Sequence, residues 1–282
     1  GEVRDGVRVV TDALGEVEVP LRPERIVVLD TGELDAAAAV GVKPVGVVEV
    51  GNHLVVPPHL TATAEGAADV GTIATPNLEA IRRLDPDLIL GNLERDDEIR
   101  DELATIAPTV MGADIGPRWR RNAELYTAAM GRCTEAAAAF AAYDRAVADL
   151  RADLGDDAAD IEVSVVRAVF DRVRIYGRAS YIGSILDEVG LSRPPAQSRD
   201  VLMEEVGIER IADMDGDVMF VTQWGPIQPA FDQIKANPIW SSLEVVRADR
   251  IHPVEDSTWM LALGVYGATS VIDDLRAALV TS

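Results

Sequence analysis

The chain has 282 residues, near the upper limit for one hydrophobic core, so we expect two packed lobes. Its net charge of −22 argues against a nucleic-acid partner, because binding phosphates requires a concentrated basic face. A composition of 48% hydrophobic residues is typical of an ordered globular protein, and no apolar run reaches the length needed to span a bilayer.

The first fifty residues alternate between strand and helix patterns. Residues 7–19 predict a β-hairpin, and residues 25–29 form a short apolar run typical of a buried parallel strand. An Ala-rich helix is predicted over residues 33–40 and ends at Gly41, and residues 45–48 predict the next strand. This alternation favours an α/β fold with mostly parallel sheets.

Two segments of the chain resemble each other. Residues 77–90 read NLEAIRRLDPDLIL and residues 207–220 read GIERIADMDGDVMF, and each predicts a helix, an Asp-x-Asp and a buried strand. A second similar pair precedes them in the same order, VGVKP at 40–44 and VGLSRP at 189–194. The repeated order predicts two related α/β lobes.

A long helix is predicted near the middle of the chain, over residues 134–155, with Thr134 as its N-cap and Gly155 at its end. Its length of roughly 31 Å is enough to cross from one lobe to the other. We therefore predict an N-terminal α/β lobe (1–133), an interlobe helix (134–155) and a C-terminal α/β lobe (156–282). A helical bridge predicts a small hinge motion.

The sequence lacks the motifs that mark several common enzyme classes. It contains no GxSxG, HExxH, GxGxxG or phosphate-binding loop, so we do not expect an enzyme. Cys133 is the only cysteine, which excludes a disulfide within the chain, and we expect it to be a small buried hydrophobe.

Six ordered segments carry a resemblance to a known family: residues 23–47, 70–90, 106–110, 163–194, 208–221 and 237–264. This set resembles the helical-backbone class of ABC-importer binding proteins, which carry ferric siderophores and cobalamin. The resemblance implies two α/β lobes bridged by one helix, with the ligand in the cleft between them. It also implies an extracytoplasmic location, often with a lipid anchor, and an ABC permease with its ATPase as partner. We expect a monomer.

The resemblance also implies a role for two glutamates. Glu79 and Glu209 match the positions that engage basic residues of the permease, and they are equivalent in the internal repeat. Two acidic side chains on related lobes suit a two-fold permease. The alternative is that both are solvated first-turn residues favoured by the helix dipole.

The ligand-binding residues are expected where strands end, because ligands of open α/β sheets lie at the carboxyl ends of the strands. Arginine would donate to the oxygens of an iron chelate, and aromatic rings would supply flat walls. The candidates in post-strand loops of the second lobe are Arg167, Arg178, Tyr181, Trp224 and Trp259, and those of the first lobe are Arg118, Trp119 and His53. Packing at a helix start is an equal alternative for Trp119, and Trp240 is expected in the core.

Such a ligand brings its own iron, so we expect no protein metal site and no cofactor. Cobalamin or haem on the same scaffold remains an alternative, although Arg118, Arg167 and Arg178 favour an anionic chelate. A zinc or manganese protein would need His53, His59 and His252 to converge with a carboxylate.

Overall fold

The computed structural model describes residues 2–51, 56–225 and 228–280, and the chain divides into two units. The first unit contains Gly1–Tyr143 and Leu261–Ala268, and the second contains Asp144–Met260 and Thr269–Ser282. None of the helices in these described ranges combines the length and apolar composition needed to cross a lipid bilayer.

The first unit opens with a small antiparallel sheet of β1 (Glu2–Arg4), β2 (Val7–Thr11) and β3 (Glu16–Pro20). The hairpin formed by β2 and β3 confirms the prediction for residues 7–19. Asp12 holds its turn, because Oδ1 accepts hydrogen bonds from the backbone N–H groups of Leu14 (2.8 Å) and Gly15 (3.0 Å).

A six-stranded sheet forms the centre of the first unit. Its strands are β4 (Ile26–Val28), β5 (Gly46–Glu49), β6 (Ala68–Thr72), β7 (Thr75–Pro76), β8 (Leu88–Asn92) and β9 (Thr109–Gly112). The spatial order is β7-β6-β5-β4-β8-β9, and every pairing is parallel except that of β6 with β7. Both β4 and β8 are completely buried, as their continuous apolar sequences predict.

Helices cover this sheet: α1 (Thr31–Ala39), α2 (Leu78–Arg83), α3 (Leu93–Asp96), α4 (Arg100–Ala104) and α5 (Trp119–Ala129), with short 3-10 helices at Pro58–Leu60 and Asp97–Ile99. The first helix begins two residues before the predicted start. Asp30 caps it by accepting the backbone N–H of Thr31 at 2.7 Å. Gly41 follows with a φ of 69°, as the predicted helix stop requires.

The long helix at the middle of the chain is α6 (Cys133–Leu154), and the boundary between the units falls within it, after Tyr143. The helix is present as predicted, while its role as a bridge and the lobe limits stay predictions. Two details differ from expectation. Thr134 lies inside the helix and is not its N-cap, and Cys133 is exposed at the first position of the helix, so it is not the buried hydrophobe that the sequence predicted.

The second unit contains one five-stranded sheet. Its strands are β10 (Val163–Val169), β11 (Arg172–Tyr176), β12 (Met203–Glu205), β13 (Val218–Trp224) and β14 (Ile251–Pro253), in the order β12-β11-β10-β13-β14. The pairings of β13 with β10 and β14 are parallel, whereas those of β11 with β10 and β12 are antiparallel. This sheet is therefore mixed, because a hairpin connects β10 to β11.

The helices of the second unit are α7 (Tyr181–Val189), α8 (Pro229–Ala236), α9 (Glu244–Arg247), α10 (Asp256–Trp259) and α11 (Val265–Leu279), with 3-10 helices at Gly155–Asp160, Ile208–Met214 and Trp240–Ser242. The first four residues of α11 belong to the first unit. Trp240 is buried edge-on against Phe231, with ring centroids 5.6 Å apart, which confirms its predicted place in the core.

The repeated Asp-x-Asp performs the same task in both units. Asp87 accepts the backbone N–H groups of Glu24 (2.7 Å) and Arg25 (2.9 Å), just before β4. Asp217 likewise accepts the N–H of Glu162 (2.7 Å), just before β10. Each carboxylate thus anchors the start of the parallel strand beside its own strand. The helices differ, because the second copy is a 3-10 helix at Ile208–Met214 rather than an α-helix.

Asp35 of α1 caps the start of α11 within the first unit. Its two oxygens accept the backbone N–H groups of Tyr266 (2.9 Å) and Gly267 (2.8 Å), and the side chain is completely buried. Burial raises the pKa of Asp35 to about 7, although the two backbone hydrogen bonds oppose the shift. Gly264 is required beside it, because a Cβ there would overlap the Asp35 carboxylate.

We expect Asp35→Ala to lower the free energy of unfolding by about 3 kcal/mol, because two buried N–H groups lose their acceptor. Urea unfolding at pH 5 measures the change, because above its pKa of about 7 the ionised Asp35 would itself lower stability by being buried. Asp232→Ala is the control, since the Asp232 side chain is 66% exposed and pairs with Lys235 in α8. Equal stability of the two variants would contradict the capping role.

Candidate functional site

Two of the predicted ligand residues meet at the carboxyl edge of the second sheet, where parallel strands β10 and β13 end. Arg167 lies two residues before the end of β10, and Trp224 is the last residue of β13. The Arg167 guanidinium carbon is 5.7 Å from the centre of the half-buried Trp224 ring, a cation–π distance. Both lie within strands, not in the loops that the sequence predicted.

Asp256 fixes the orientation of the Arg167 guanidinium. The Arg167 Nε and Nη2 atoms donate to the two carboxylate oxygens at 2.7 Å and 2.6 Å, and Nη1 lies 3.3 Å from the Tyr176 hydroxyl. Burial is the largest single effect and would lower the pKa of Arg167, but the hydrogen bonds and charge interactions with Asp256 and Tyr176 together outweigh it, and the pKa is raised. The arginine therefore stays charged, with its charge balanced by a carboxylate.

Two other aromatic candidates are buried. Trp259 is completely buried in α10, stacks on Phe220 with ring centroids 4.6 Å apart and donates its Nε1–H to Asp274 at 2.8 Å. Tyr181 is 3% exposed at the first position of α7. Both side chains therefore belong to the core, and in this structure neither offers a surface to a ligand.

Three of the remaining candidates have contacts within their own unit. Arg178 and Arg118 are largely exposed and form ion pairs with Asp187 and Asp114, both at 3.3 Å. Trp119 is 1% exposed and meets Tyr143 edge-on, which corrects its ligand role in favour of packing at the start of α5. His53 lies outside the described residues.

The carboxyl edge of the first sheet carries a buried acidic cluster, formed by Asp30, Glu33 and Asp96. Asp30 follows β4, and Arg95 donates to it at 3.1 Å. Tyr126 of α5 places its hydroxyl 2.8 Å from Glu33 Oε1. The sequence analysis did not identify Tyr126, because it lies 93 positions from Glu33 along the chain. Polar residues directly after buried strands are the signal that could have found Asp30.

Burial changes the proton affinity of this acidic cluster. It raises the pKa of Glu33 to about 8, helped by the nearby Asp30 carboxylate and opposed by the hydrogen bond from Tyr126. It also raises the pKa of Asp96 to about 6. Protonated Glu33 is thus favoured near neutral pH, and Arg95 is the cation that contacts the cluster at Asp30.

No group of three or more histidine, cysteine or acidic side chains is placed to hold a metal ion in the ranges 2–51, 56–225 and 228–280. His59 stacks on Tyr266 in the first unit, with ring centroids 6.2 Å apart. His252 lies 5.5 Å from the Phe220 ring in the second. These two histidines are engaged with aromatic rings.

A family model described as periplasmic binding protein matches residues 26–256. The chain belongs to the periplasmic binding protein family. The probable siderophore-binding lipoprotein YfiY of Bacillus subtilis is 34% identical over 95% of this chain and 86% of its own length. The Fe(3+)-citrate-binding protein YfmC of Bacillus subtilis is 29% identical over 95% of this chain and 85% of its length.

A solved structure of another protein has the same fold. SirA of Staphylococcus aureus, complexed with staphyloferrin B, matches with a TM-score of 0.88 and 29% identity, covering 96% of this chain and 98% of that one. The α/β fold of this periplasmic binding protein is therefore confirmed.

Glu79 and Glu209 lie at matching places in this periplasmic binding protein, each in the first turn of the helix of its repeat. Both side chains belong to exposed residues, and Glu79 pairs with Arg82 at 2.5 Å. Asn77 caps α2 by accepting the backbone N–H of Ala80 at 3.0 Å, so Glu79 is not needed as the cap. Their exposure is compatible with contact to a partner, and that role stays a prediction.

The raised pKa of Glu33 generates a pH prediction. The folded state keeps a proton on Glu33 between its ordinary pKa of 4.5 and about 8, whereas the unfolded chain releases it. The free energy of unfolding should therefore fall as pH rises from 5 to 8. We expect Glu33→Gln to remove about 3 kcal/mol of that fall, because Gln mimics the protonated acid.

Urea unfolding at pH 5 and pH 8 provides the measurement. Glu102→Gln is the matched control, because Glu102 is exposed on α4. The variant and wild type should have similar stability at pH 5 and differ at pH 8. An identical pH dependence in wild type and Glu33→Gln would show that Glu33 ionises normally.

Proposed function

We propose that the chain captures a ferric siderophore or a similar iron chelate outside the cytoplasm and delivers it to an ABC permease. The observation that carries the proposal is the meeting of Arg167 and Trp224 at the carboxyl edge of the second sheet. The names of relatives support it, since one is a probable siderophore-binding lipoprotein and another binds Fe(3+)-citrate. SirA holds staphyloferrin B on the same fold.

The chemistry of this edge suits a chelate that already contains its iron. The Trp224 ring offers a flat surface, and Arg167 offers donors whose direction is fixed by Asp256. The chelating oxygens can accept hydrogen bonds from these N–H groups while they remain coordinated to the iron. The protein therefore binds and orients the complex, and we propose neither a catalytic reaction nor a cofactor.

The charge of the chelate is less constrained than the sequence predicted. The three arginines that favoured an anionic ligand each contact a carboxylate: Asp256 for Arg167, Asp187 for Arg178 and Asp114 for Arg118. The charge of Arg167 is therefore balanced before any ligand arrives, whereas Asp187 also pairs with Arg193 at 3.0 Å and balances only part of the charge of Arg178. This arrangement is compatible with neutral and weakly anionic ferric chelates.

A binding panel tests the proposal. Tryptophan fluorescence of the wild type is titrated with ferrioxamine B, ferric enterobactin, ferric citrate, haem and cobalamin, with free Zn²⁺ and Mn²⁺ as controls. We expect saturable submicromolar quenching by one ferric chelate, roughly the affinity that a transport protein needs. Tight binding of cobalamin, haem or a free metal alone would replace the iron chelate as ligand.

We expect Trp224→Ala to weaken binding of that chelate about tenfold, because the flat wall beside Arg167 is lost. Isothermal titration calorimetry measures the affinity. Trp259→Phe is the matched control, because Trp259 is a core residue whose replacement should change stability and leave affinity unchanged. Wild-type affinity in Trp224→Ala would remove Trp224 from the site.

The same proposal gives Glu79 and Glu209 a role in delivery. Paired acidic side chains at equivalent places suit a two-fold partner with basic contacts. We expect the double variant Glu79→Ala with Glu209→Ala to reduce cellular uptake of the ferric chelate at least about tenfold while ligand affinity stays unchanged. The effect is measured as uptake of the radioactively labelled ferric chelate by cells that express the wild type or the double variant.

Glu102→Ala with Glu244→Ala is the control for delivery, since it removes two exposed carboxylates elsewhere and changes the net charge equally. Normal uptake by the Glu79 and Glu209 double variant would contradict docking through these residues. Loss of uptake in both double variants would indicate a general effect of charge.

A further inference from the structure

The turn between β10 and β11 contains a residue in an unfavourable backbone conformation. Val169 and Arg172 are paired, so the loop consists of Phe170 and Asp171 alone. Phe170 has a φ of 51°, a left-handed value that a two-residue hairpin turn of this kind normally gives to glycine. A bulky residue in this conformation is strained, and such strain is concentrated at functional sites.

Burial of the Phe170 ring does not compensate for the backbone strain. The residue remains 44% exposed, so its ring adds little to the core. One side of the ring lies against the backbone of Gly225, where a Cβ would be 2.8 Å from Phe170 Cε1. Gly225 itself has a φ of 97°, so two unusual backbone positions together allow this close approach.

This close approach lies at the carboxyl edge of the second sheet. Gly225 directly follows Trp224, and Trp224 pairs with Val169, the residue before Phe170. Phe170 therefore stands at the same edge as the Arg167 and Trp224 pair. The Arg167 charge is balanced by Asp256, so the edge presents two aromatic residues around a neutral ion pair.

We propose that Phe170 is a further ligand-binding residue, which together with Trp224 forms an aromatic wall for a flat, uncharged part of the bound ferric chelate. The inference rests on the proposed function and adds the chemistry of one face of the ligand. A planar ring offers a large contact area with little loss of side-chain freedom, which suits a rigid chelate. The strain at Phe170 is then retained because the turn places its ring at the carboxyl edge of the second sheet, beside the ligand.

Replacement of Phe170 by glycine separates a binding role from a structural role. Phe170→Gly relieves the strain, so we expect the melting temperature to rise by about 2 °C. The same change removes the ring, so we expect affinity for the ferric chelate to fall about tenfold. Calorimetric titration uses whichever of ferrioxamine B, ferric enterobactin and ferric citrate the wild type binds.

Asp249→Gly is the matched control. Asp249 has a similar φ of 54°, is exposed and precedes β14, so it lies at the amino end of a strand parallel to β13. We expect this variant to gain stability without any change in affinity. Phe170→Tyr keeps the ring and should bind as the wild type does, whereas Phe170→Leu should bind more weakly because it is not planar.

The affinities decide the outcome. A loss in Phe170→Gly and Phe170→Leu that Phe170→Tyr does not share supports the aromatic wall. Wild-type affinity in Phe170→Gly overturns it, whatever the melting temperature, and leaves the proposed function intact. Failure of the wild type to bind any of the three ferric chelates instead contradicts the proposed function itself.

Discussion

The ion pair between Arg167 and Asp256 is the interaction on which the second-unit site depends. It joins β10 to the start of α10, and its two hydrogen bonds hold the guanidinium in one orientation. A buried arginine without this partner would carry an uncompensated charge, which costs several kcal/mol. With the partner in place, the donors remain beside Trp224 while the edge stays close to neutral.

Buried charges are neutralised in different ways at the carboxyl edges of the two sheets. In the second unit one cation meets one anion. In the first unit Asp30, Glu33 and Asp96 have one arginine contact, Arg95, and burial raises the pKa of Glu33 and Asp96. A proton on Glu33 then neutralises one of the three carboxylates. Asp87 and Asp217 have the same structural role in the two units, but the side chains at the carboxyl edges of the two sheets differ in their chemistry.

The sequence predicted the features that depend on local pattern. The hairpin of β2 and β3, the buried strands and the long helix follow from periodicity and from glycine positions. The repeat was found because Asp87 and Asp217 both anchor strand starts, a backbone requirement that is visible as a motif. The mixed second sheet was missed, since the direction of β11 is set by the two-residue turn that follows β10.

Side-chain partners far apart in the chain could not be predicted in this way. Trp259 follows a strand, as a ligand residue would, but its indole N–H reaches Asp274 and its ring covers Phe220. The balance of Arg167 depends on Asp256, which is 89 positions away. Phe170 was missed because strain at a turn is a property of φ, and a turn of two residues with a phenylalanine has no sequence signature.

The most direct test of the central claim is to locate the iron in a crystal of the chain grown with its ferric chelate, using the anomalous scattering of iron. We predict that the iron peak lies beyond the carboxyl ends of β10 and β13, with the chelate in contact with Arg167 and Trp224. An iron peak at the amino ends of these strands, or iron ligated directly by protein side chains, would contradict the account.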